Sequence, residues 1–245
     1  MPIEQYRPSG FKLLPEVVKN LLIINGIFFL ATVILENRGI DLTDLLGLHY
    51  FASAKFHPYQ LITYMFMHGS VSHILFNMFA LWMFGSAIEN FWGPKKFLGY
   101  YLFTGIGAAL THYAIVYYQL NPALTEISNY ISSHNLNPAE LDQVYQQRTE
   151  LLNAPIVVGA SGAVFGLLLA YGMMFPNSLL YVYFAIPIKA KYFVIIYGLI
   201  ELFSGVASRP GDNVAHFAHL GGLLFGFILI MFWRFQKRRR NKYFN

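Results

Sequence analysis

The chain has 245 residues, is 56% hydrophobic and only 12% charged, carries a formal net charge of +5 and contains no cysteine. Soluble domains devote about a quarter of their residues to charge, so this composition excludes an ordinary soluble fold and describes an integral membrane protein. The missing cysteines exclude a disulfide framework, a thiol nucleophile and a cysteine metal site.

Apolar stretches fall at 18–36, 71–92, 96–118, 156–175, 190–207 and 213–233, each near the ~20 residues that cross a ~30 Å hydrocarbon core. The fold class predicted is an all-α membrane protein, a six-transmembrane helix bundle. Segment 1–17 opens with polar residues and prolines, unlike a cleaved signal peptide, so the first span is expected to be kept. Residues 18–235 form the membrane domain and 236–245 a basic tail. Lys and Arg collect on the cytoplasmic side of short loops. With the N-terminus inside, only Arg38, Lys55, Arg148 and Arg209 of the chain's 17 Lys and Arg lie outside. Both termini are therefore expected in the cytoplasm. Much of the excess charge sits in the tail around Arg238–Arg240. A cluster beside a span meets anionic lipid headgroups, so membrane lipids are the expected partner and nucleic acid is not.

Two outer segments are long enough to have structure. Segment 37–70 is too apolar for a solvated loop and too broken for a span, which suggests an interfacial, partly immersed piece. Segment 119–154 is a polar insert. Asn121-Pro122 and Asn137-Pro138 each read as an N-cap followed by proline at the first helical position, and Glu140 completes a capping box with Asn137. Two short helices are predicted there. Leu141, Val144, Tyr145, Leu151 and Leu152 give the second one a face to bury. Gly162/Gly166 and Gly222/Gly226 are small-xxx-small pairs that let helices approach closely in lipid, so the fourth and sixth spans are expected to touch.

Ser161 stands between glycines in Val-Gly-Ala-Ser-Gly-Ala-Val-Phe-Gly, about six residues inside the fourth span. His219 is about as far inside the sixth, in Ala-His-Phe-Ala-His-Leu-Gly-Gly. Both spans start outside, so both side chains are expected about 10 Å below the outer surface. A serine hydroxyl needs a neighbouring base to become a nucleophile, and histidine suits that task near neutral pH. On the second span Ser70 is a candidate N-cap. His73 and Asn77, at i and i+4, share one face. Donors held on a rigid helix can bind the oxyanion that forms when a carbonyl is attacked. Polar groups inside a membrane also mark functional sites by default.

Taken together these motifs resemble the rhomboid intramembrane serine proteases. The resemblance covers nearly the whole chain: Gly-x-Ser-Gly on the fourth span, His-x-x-x-Asn on the second and Ala-His-x-x-Gly-x-x-x-Gly on the sixth. It implies a rhomboid-type bundle with Ser161 as nucleophile and His219, rather than His216, as base. His73, Asn77 and the Ser161 backbone N–H would form the oxyanion site. Gly159, Gly162, Phe165, Gly222 and Gly226 would support it, with the Phe165 ring placed to stack on the base. The implied substrates are single-span membrane proteins, cut near the outer face at a helix-destabilised segment after a small residue. The expected location is a bacterial inner (cell) membrane. The sequence departs from the family in lacking a tryptophan-arginine pair in the first outer loop and in the length of the 119–154 insert.

No carboxylate is expected beside His219, since Asp212 precedes the sixth span and Glu201 belongs to the fifth. A Ser-His dyad without an anionic partner follows, and slow turnover with it. Glu89, a span away, is expected to be structural, and His112 an ordinary polar residue. A metal reading of His68, His73, His216 and His219 is set aside for want of a His-Glu-x-x-His helix and a carboxylate base, so neither metal nor cofactor is expected. Two rival classes are a catalytically inactive relative serving binding or quality control, and a transporter, for which the sequence lacks inverted half-repeats.

Overall fold

The computed structural model describes residues 10–182, 185–207 and 215–243, with side chains to Arg239. Arg7, Arg209 and Asp212 lie outside the described residues. All six apolar stretches fall on helices: α1 (Glu16–Glu36), a rod made of α4 (Val71–Ala80), a π turn and α5 (Ser86–Trp92), then α6 (Pro94–Ser133), α8 (Ser161–Met174), α9 (Ala190–Ala207) and α10 (His216–Tyr243). Among the described residues four of these, Glu16–Glu36, Val71–Trp92, Ala190–Ala207 and His216–Arg239, are long and apolar enough to cross a membrane. The Tyr, Gly and Thr content of α6 lowers its hydropathy, and α8 has only 14 residues.

The core centres on α8, which buries nine residues from Gly162 to Gly172 against its neighbours. At its crossing with α10 there is no room for a side chain. A Cβ on Gly222 would overlap the Gly162 carbonyl oxygen, and one on Gly162 would overlap the Cβ of Ala108 in α6. The fourth and sixth spans do meet, most closely at this pair. Gly166 faces Thr104 of α6, and Gly226 faces the Tyr100 hydroxyl and Leu169. Tyr100 donates to the Gly166 carbonyl at 2.8 Å, tying α6 to α8.

Segment 37–70 is docked on protein. It contains α2 (Leu42–Leu46), β1 (Leu48–His49), α3 (Gln60–Thr63) and a single 3₁₀ turn over Tyr64–Phe66. Leu48, Tyr50, Tyr64, Met65 and Met67 turn inward and are buried, whereas Ile40, Leu45, Phe51 and Tyr59 are exposed, so part of the segment's apolar content packs on the helices and part stays at the surface. Fully buried Gln60 organises the loop with all four amide sites in use. Its oxygen accepts from the N–H of His49 at 3.3 Å and of His57 at 3.2 Å. Its nitrogen donates to the carbonyls of Leu45 at 3.2 Å and Lys55 at 3.0 Å. Tyr64 and Tyr113 then bind loop to α6, donating between them to Gly105 and His49 carbonyls at 2.7 Å each.

The insert departs from the two predicted short helices. The 40-residue α6 runs straight through Pro122 to Ser133, so Asn121 is no N-cap. Proline inside a helix forfeits one backbone hydrogen bond and costs about 3 kcal/mol. Leu120 and Leu124 pack on the core on either side of it and hold the helix together there. The second helix, α7 (Pro138–Asn153), has the capping box: Asn137 accepts from the N–H groups of Ala139 and Glu140, and Glu140 accepts from that of Asn137. Its face is shallow. Leu152 is buried, Leu141, Val144 and Leu151 are half-buried, and Tyr145 is exposed.

Glu89 on α5 accepts from the N–H groups of Val17 at 3.0 Å and Val18 at 2.8 Å, satisfying orphan donors at the start of α1 with a favourable charge for its dipole. Glu89→Gln keeps one acceptor oxygen but turns an NH₂ toward those donors. It should lower stability by about 1–3 kcal/mol, read as a fall in Tm in detergent. An unchanged Tm would show that the contact is idle.

Candidate active site

Ser161 is the first residue of α8, later than the apolar pattern suggests, because the chain before it is occupied otherwise. Residues Ile156–Val157 form β2, paired antiparallel with β1 (Leu48↔Val157, His49↔Ile156). The N–H of Gly159 donates to the Tyr64 carbonyl at 2.9 Å, and Gly159 then turns with φ 125°, a conformation that favours glycine. The first intrahelical bond runs from the Val164 N–H to the Ala160 carbonyl. The N–H of Ser161 thus belongs to the unpaired first turn, where the helix dipole favours negative charge.

His219 lies in the first turn of α10, also nearer its helix start than expected. Its Nε2 is 2.8 Å from the Ser161 Oγ. The Phe165 ring stacks on the imidazole with centroids 4.4 Å apart and planes 8° apart. Ser161 precedes Gly162 by one residue and His219 precedes Gly222 by one turn, so the close crossing of α8 and α10 brings hydroxyl and imidazole together.

On α4, Ser70 caps the helix by accepting from the His73 N–H at 3.1 Å. Asn77, buried, donates one amide hydrogen to the His73 carbonyl at 3.0 Å. A Cβ placed on Gly159 would stand 2.7 Å from His73 Nε2 and 3.7 Å from Ser161 Oγ. The missing side chain leaves a small space that the serine and the His73 ring both border. His68 lies against His73, ring centroids 5.0 Å apart. Burial, aided by His73, pushes the His68 imidazole down to about 4, so it is neutral near pH 7 and is one wall of the site.

The expectation that nothing anionic approaches His219 is overturned. Glu201 of α9 is buried, and its Oε2 lies 2.9 Å from His219 Nδ1 and 2.6 Å from His216 Nδ1. The sequence contained the signal. Glu201 is six residues before the end of α9 and His219 is in the first turn of α10, so the two sit at the same level beside the 208–215 connection. The depth argument that paired Ser161 with His219 pairs Glu201 with them too, and a lone acid in an apolar helix is a site candidate by default. Of the four histidines weighed as a metal set, His68 and His73 stay together and only His216 and His219 join Glu201, their ligand atoms within 4.8 Å of one another. That trio could geometrically hold a cation, and the carboxylate that the sequence reading lacked is present, but hydrogen bonds between its members already account for the arrangement. His112 is half-buried on α6 and is not part of that trio.

The family model described as a rhomboid domain matches residues 55–235. The chain belongs to the rhomboid family. It is 26% identical over 210 residues to the RHOMBOID-like protein 12, mitochondrial, of Arabidopsis thaliana, a match covering 84% of this chain and 55% of that protein. It is 29% identical over 184 residues to the putative rhomboid protease YdcA of Bacillus subtilis, covering 74% and 70% respectively. With the rhomboid protease AarA of Providencia stuartii it shares 28% over 174 residues, 67% of this chain and 52% of that one. The rhomboid domain and the apolar helices make this a multi-pass membrane protein.

Gly159→Ala should destabilise this rhomboid-family protein by about 1–3 kcal/mol through backbone strain, with the new Cβ pressing on His73. Gly99, helical and with nothing within 4 Å of its Cβ position, is the control. Gly99→Ala should be neutral or stabilising by up to about 1 kcal/mol. Thermal unfolding in detergent checks both, and equal effects at the two sites would show that the positive-φ turn is not needed.

Proposed function

We propose that the protein is an intramembrane serine endopeptidase. In this reading it spans the membrane six times with both termini cytoplasmic and cuts single-span membrane proteins near the outer face. One observation carries the reading: a buried imidazole nitrogen 2.8 Å from the hydroxyl of a serine that begins a helix. His219 Nε2 takes the Ser161 Oγ proton as the oxygen attacks the scissile carbonyl. The resulting oxyanion lies toward the Ser161 N–H, the His73 ring and the second amide hydrogen of Asn77. The imidazolium then protonates the leaving amine. Water, deprotonated by the same nitrogen, cleaves the acyl-enzyme and restores the serine. No cofactor enters these steps.

A substrate helix hides its carbonyls in i→i−4 bonds, so the segment to be cut has to unwind before Ser161 can reach it. That is the physical ground for preferring a helix-destabilised segment; single-span substrates and a small residue before the bond are what the family resemblance implies. The bacterial relatives support an inner (cell) membrane as the location. The six-span reading is supported by the six apolar stretches of the sequence and the cytoplasmic termini by the 17 Lys and Arg, which in this topology are sparse on the opposite face.

Ser161→Ala and His219→Ala should each abolish cleavage of a single-span reporter, by at least ~10³-fold. The double variant should be no worse than either single, because the two act as one unit. A fluorophosphonate should modify Ser161 stoichiometrically in the folded protein and fail with His219→Ala. A folded protein that neither cleaves nor reacts would favour an inactive relative, and an adduct on another serine would refute the site.

Orientation is read by single cysteines in this cysteine-free chain. Ser133→Cys should react with an impermeant thiol reagent in intact cells and Arg239→Cys should not. The opposite pattern would reverse the face that is cut.

A further inference from the structure

For a hydroxyl–imidazole pair to act, something must decide which ring nitrogen carries the proton. For His219 Nε2 to accept from Ser161, the proton must sit on Nδ1. That atom lies 2.9 Å from Glu201 Oε2. A carboxylate accepts and never donates when ionised, so the contact defines the tautomer. We infer that Glu201 is the positioning residue of the site. It holds His219 in the tautomer that accepts from Ser161 and opposes the imidazolium charge that forms during reaction, while His216 fixes the carboxylate from its other side. The inference rests on the protease reading.

Three features of the fold point the same way. The same Oε2 accepts from His216 Nδ1 at 2.6 Å, using both lone pairs of one oxygen, so the carboxylate cannot swing away without losing two bonds. The Phe165 ring, stacked at 4.4 Å, keeps the His219 plane fixed, which leaves Nδ1 aimed at α9. Gly205, one turn beyond Glu201 on the same face, lets α9 come close enough. A Cβ there would stand 3.2 Å from the His216 Cβ and 3.0 Å from the Phe217 ring. Elsewhere α9 is largely exposed, burying only Ala190, Val194, Glu201 and Gly205 among its described residues. A carboxylate is thus one of the few groups by which this helix touches the rest of the molecule. Desolvating it without partners would be costly, and both partners are histidines of the α10 start.

The balance of charge fits the chemistry. With both imidazoles neutral the trio carries one negative charge. When His219 Nε2 takes the Ser161 proton, that charge is neutralised by a group already in place. In a soluble Ser-His-Asp triad, neutralising the carboxylate costs ~10⁴ in kcat by favouring the wrong tautomer. Loss of the Glu201 charge should act in the same manner.

The test uses the full chain in detergent with a single-span reporter. Glu201→Gln should lower kcat by ~10²–10⁴-fold with KM within about twofold, and Glu201→Asp, one methylene shorter but charged, should recover part of the loss. His216→Ala should cost less than Glu201→Gln. A spectroscopic readout is independent of turnover. In ¹⁵N-histidine-labelled protein, a far-downfield Nδ1–H resonance assigned to His219 should persist in Ser161→Ala and vanish in Glu201→Gln. Full kcat in Glu201→Gln, an Asp variant no better than Gln, or a resonance that survives Glu201→Gln would overturn the inference while leaving the protease reading intact. Abolition of wild-type activity by a chelator would also overturn it, by making the trio a metal site. A wild type that neither cleaves nor reacts at Ser161 would sink the protease reading first and the role of Glu201 with it.

Discussion

Everything in the site hangs on one close approach, the crossing of α8 and α10 at Gly162 and Gly222. No side chain fits between the Gly222 Cα and the Gly162 carbonyl, so the helices touch backbone to backbone. In lipid there is no hydrophobic gain from pairing two apolar helices, and association relies on dispersion across surfaces that fit. Small residues supply that fit, and they also fix geometry. With the crossing set at Gly162 and Gly222, the residue just before it on α8 and the residue one turn before it on α10 have little choice but to meet. Ser161 and His219 occupy those two places. The tyrosines of α6 reinforce the arrangement from a third side, through the bond from Tyr100 to the Gly166 carbonyl.

The start of α8 is set by a different constraint. The two-residue pairing of Ile156–Val157 with Leu48–His49 and the bond from the Gly159 N–H to the Tyr64 carbonyl keep the preceding chain extended. Helix therefore begins at Ser161 and no earlier. A serine one and a half turns inside a helix, as the apolar pattern alone suggests, would have its N–H spent on an i−4 carbonyl. At the first position that N–H is free for a ligand, and the dipole of the whole helix acts in its favour.

How much of this was legible follows from which forces are local. The Asn137 capping box and the Ser70 cap were readable because a cap is a contact over three residues. The pairing of Ser161 with His219 was readable because equal depth and glycine faces are properties of each helix separately. Asn121-Pro122 misled because a proline's local cost yielded to the packing of Leu120 and Leu124, which the local pattern does not contain. In segment 37–70 apolar residues among polar ones look the same whether they turn toward lipid or toward protein, and the Gln60 hub and the two tyrosine bonds, which no local pattern contains, are what dock part of it on protein. Glu201 was within reach of the depth argument, yet assigning it to another helix hid that antiparallel neighbours joined by a short connection share a level.

The short α8 and the elaborate 37–70 loop are two sides of one requirement. Its 14 residues extend about 21 Å, some 9 Å less than a ~30 Å hydrocarbon core. In the protease reading a serine that needs water gains from such a recess, and the 37–70 loop fills the space beside it. Non-helical backbone packed against apolar helices must have its polar groups satisfied within the protein. Gln60 does this for the loop over Leu45, His49, Lys55 and His57, and the β1–β2 pair does it for the approach to Ser161. A longer α8 would need no such loop, but it would carry the serine N–H into its own hydrogen-bond ladder and close the space beside Gly159. The loop's dense hydrogen bonding is thus the structural condition for starting the helix at Ser161, where the protease reading needs an unpaired N–H.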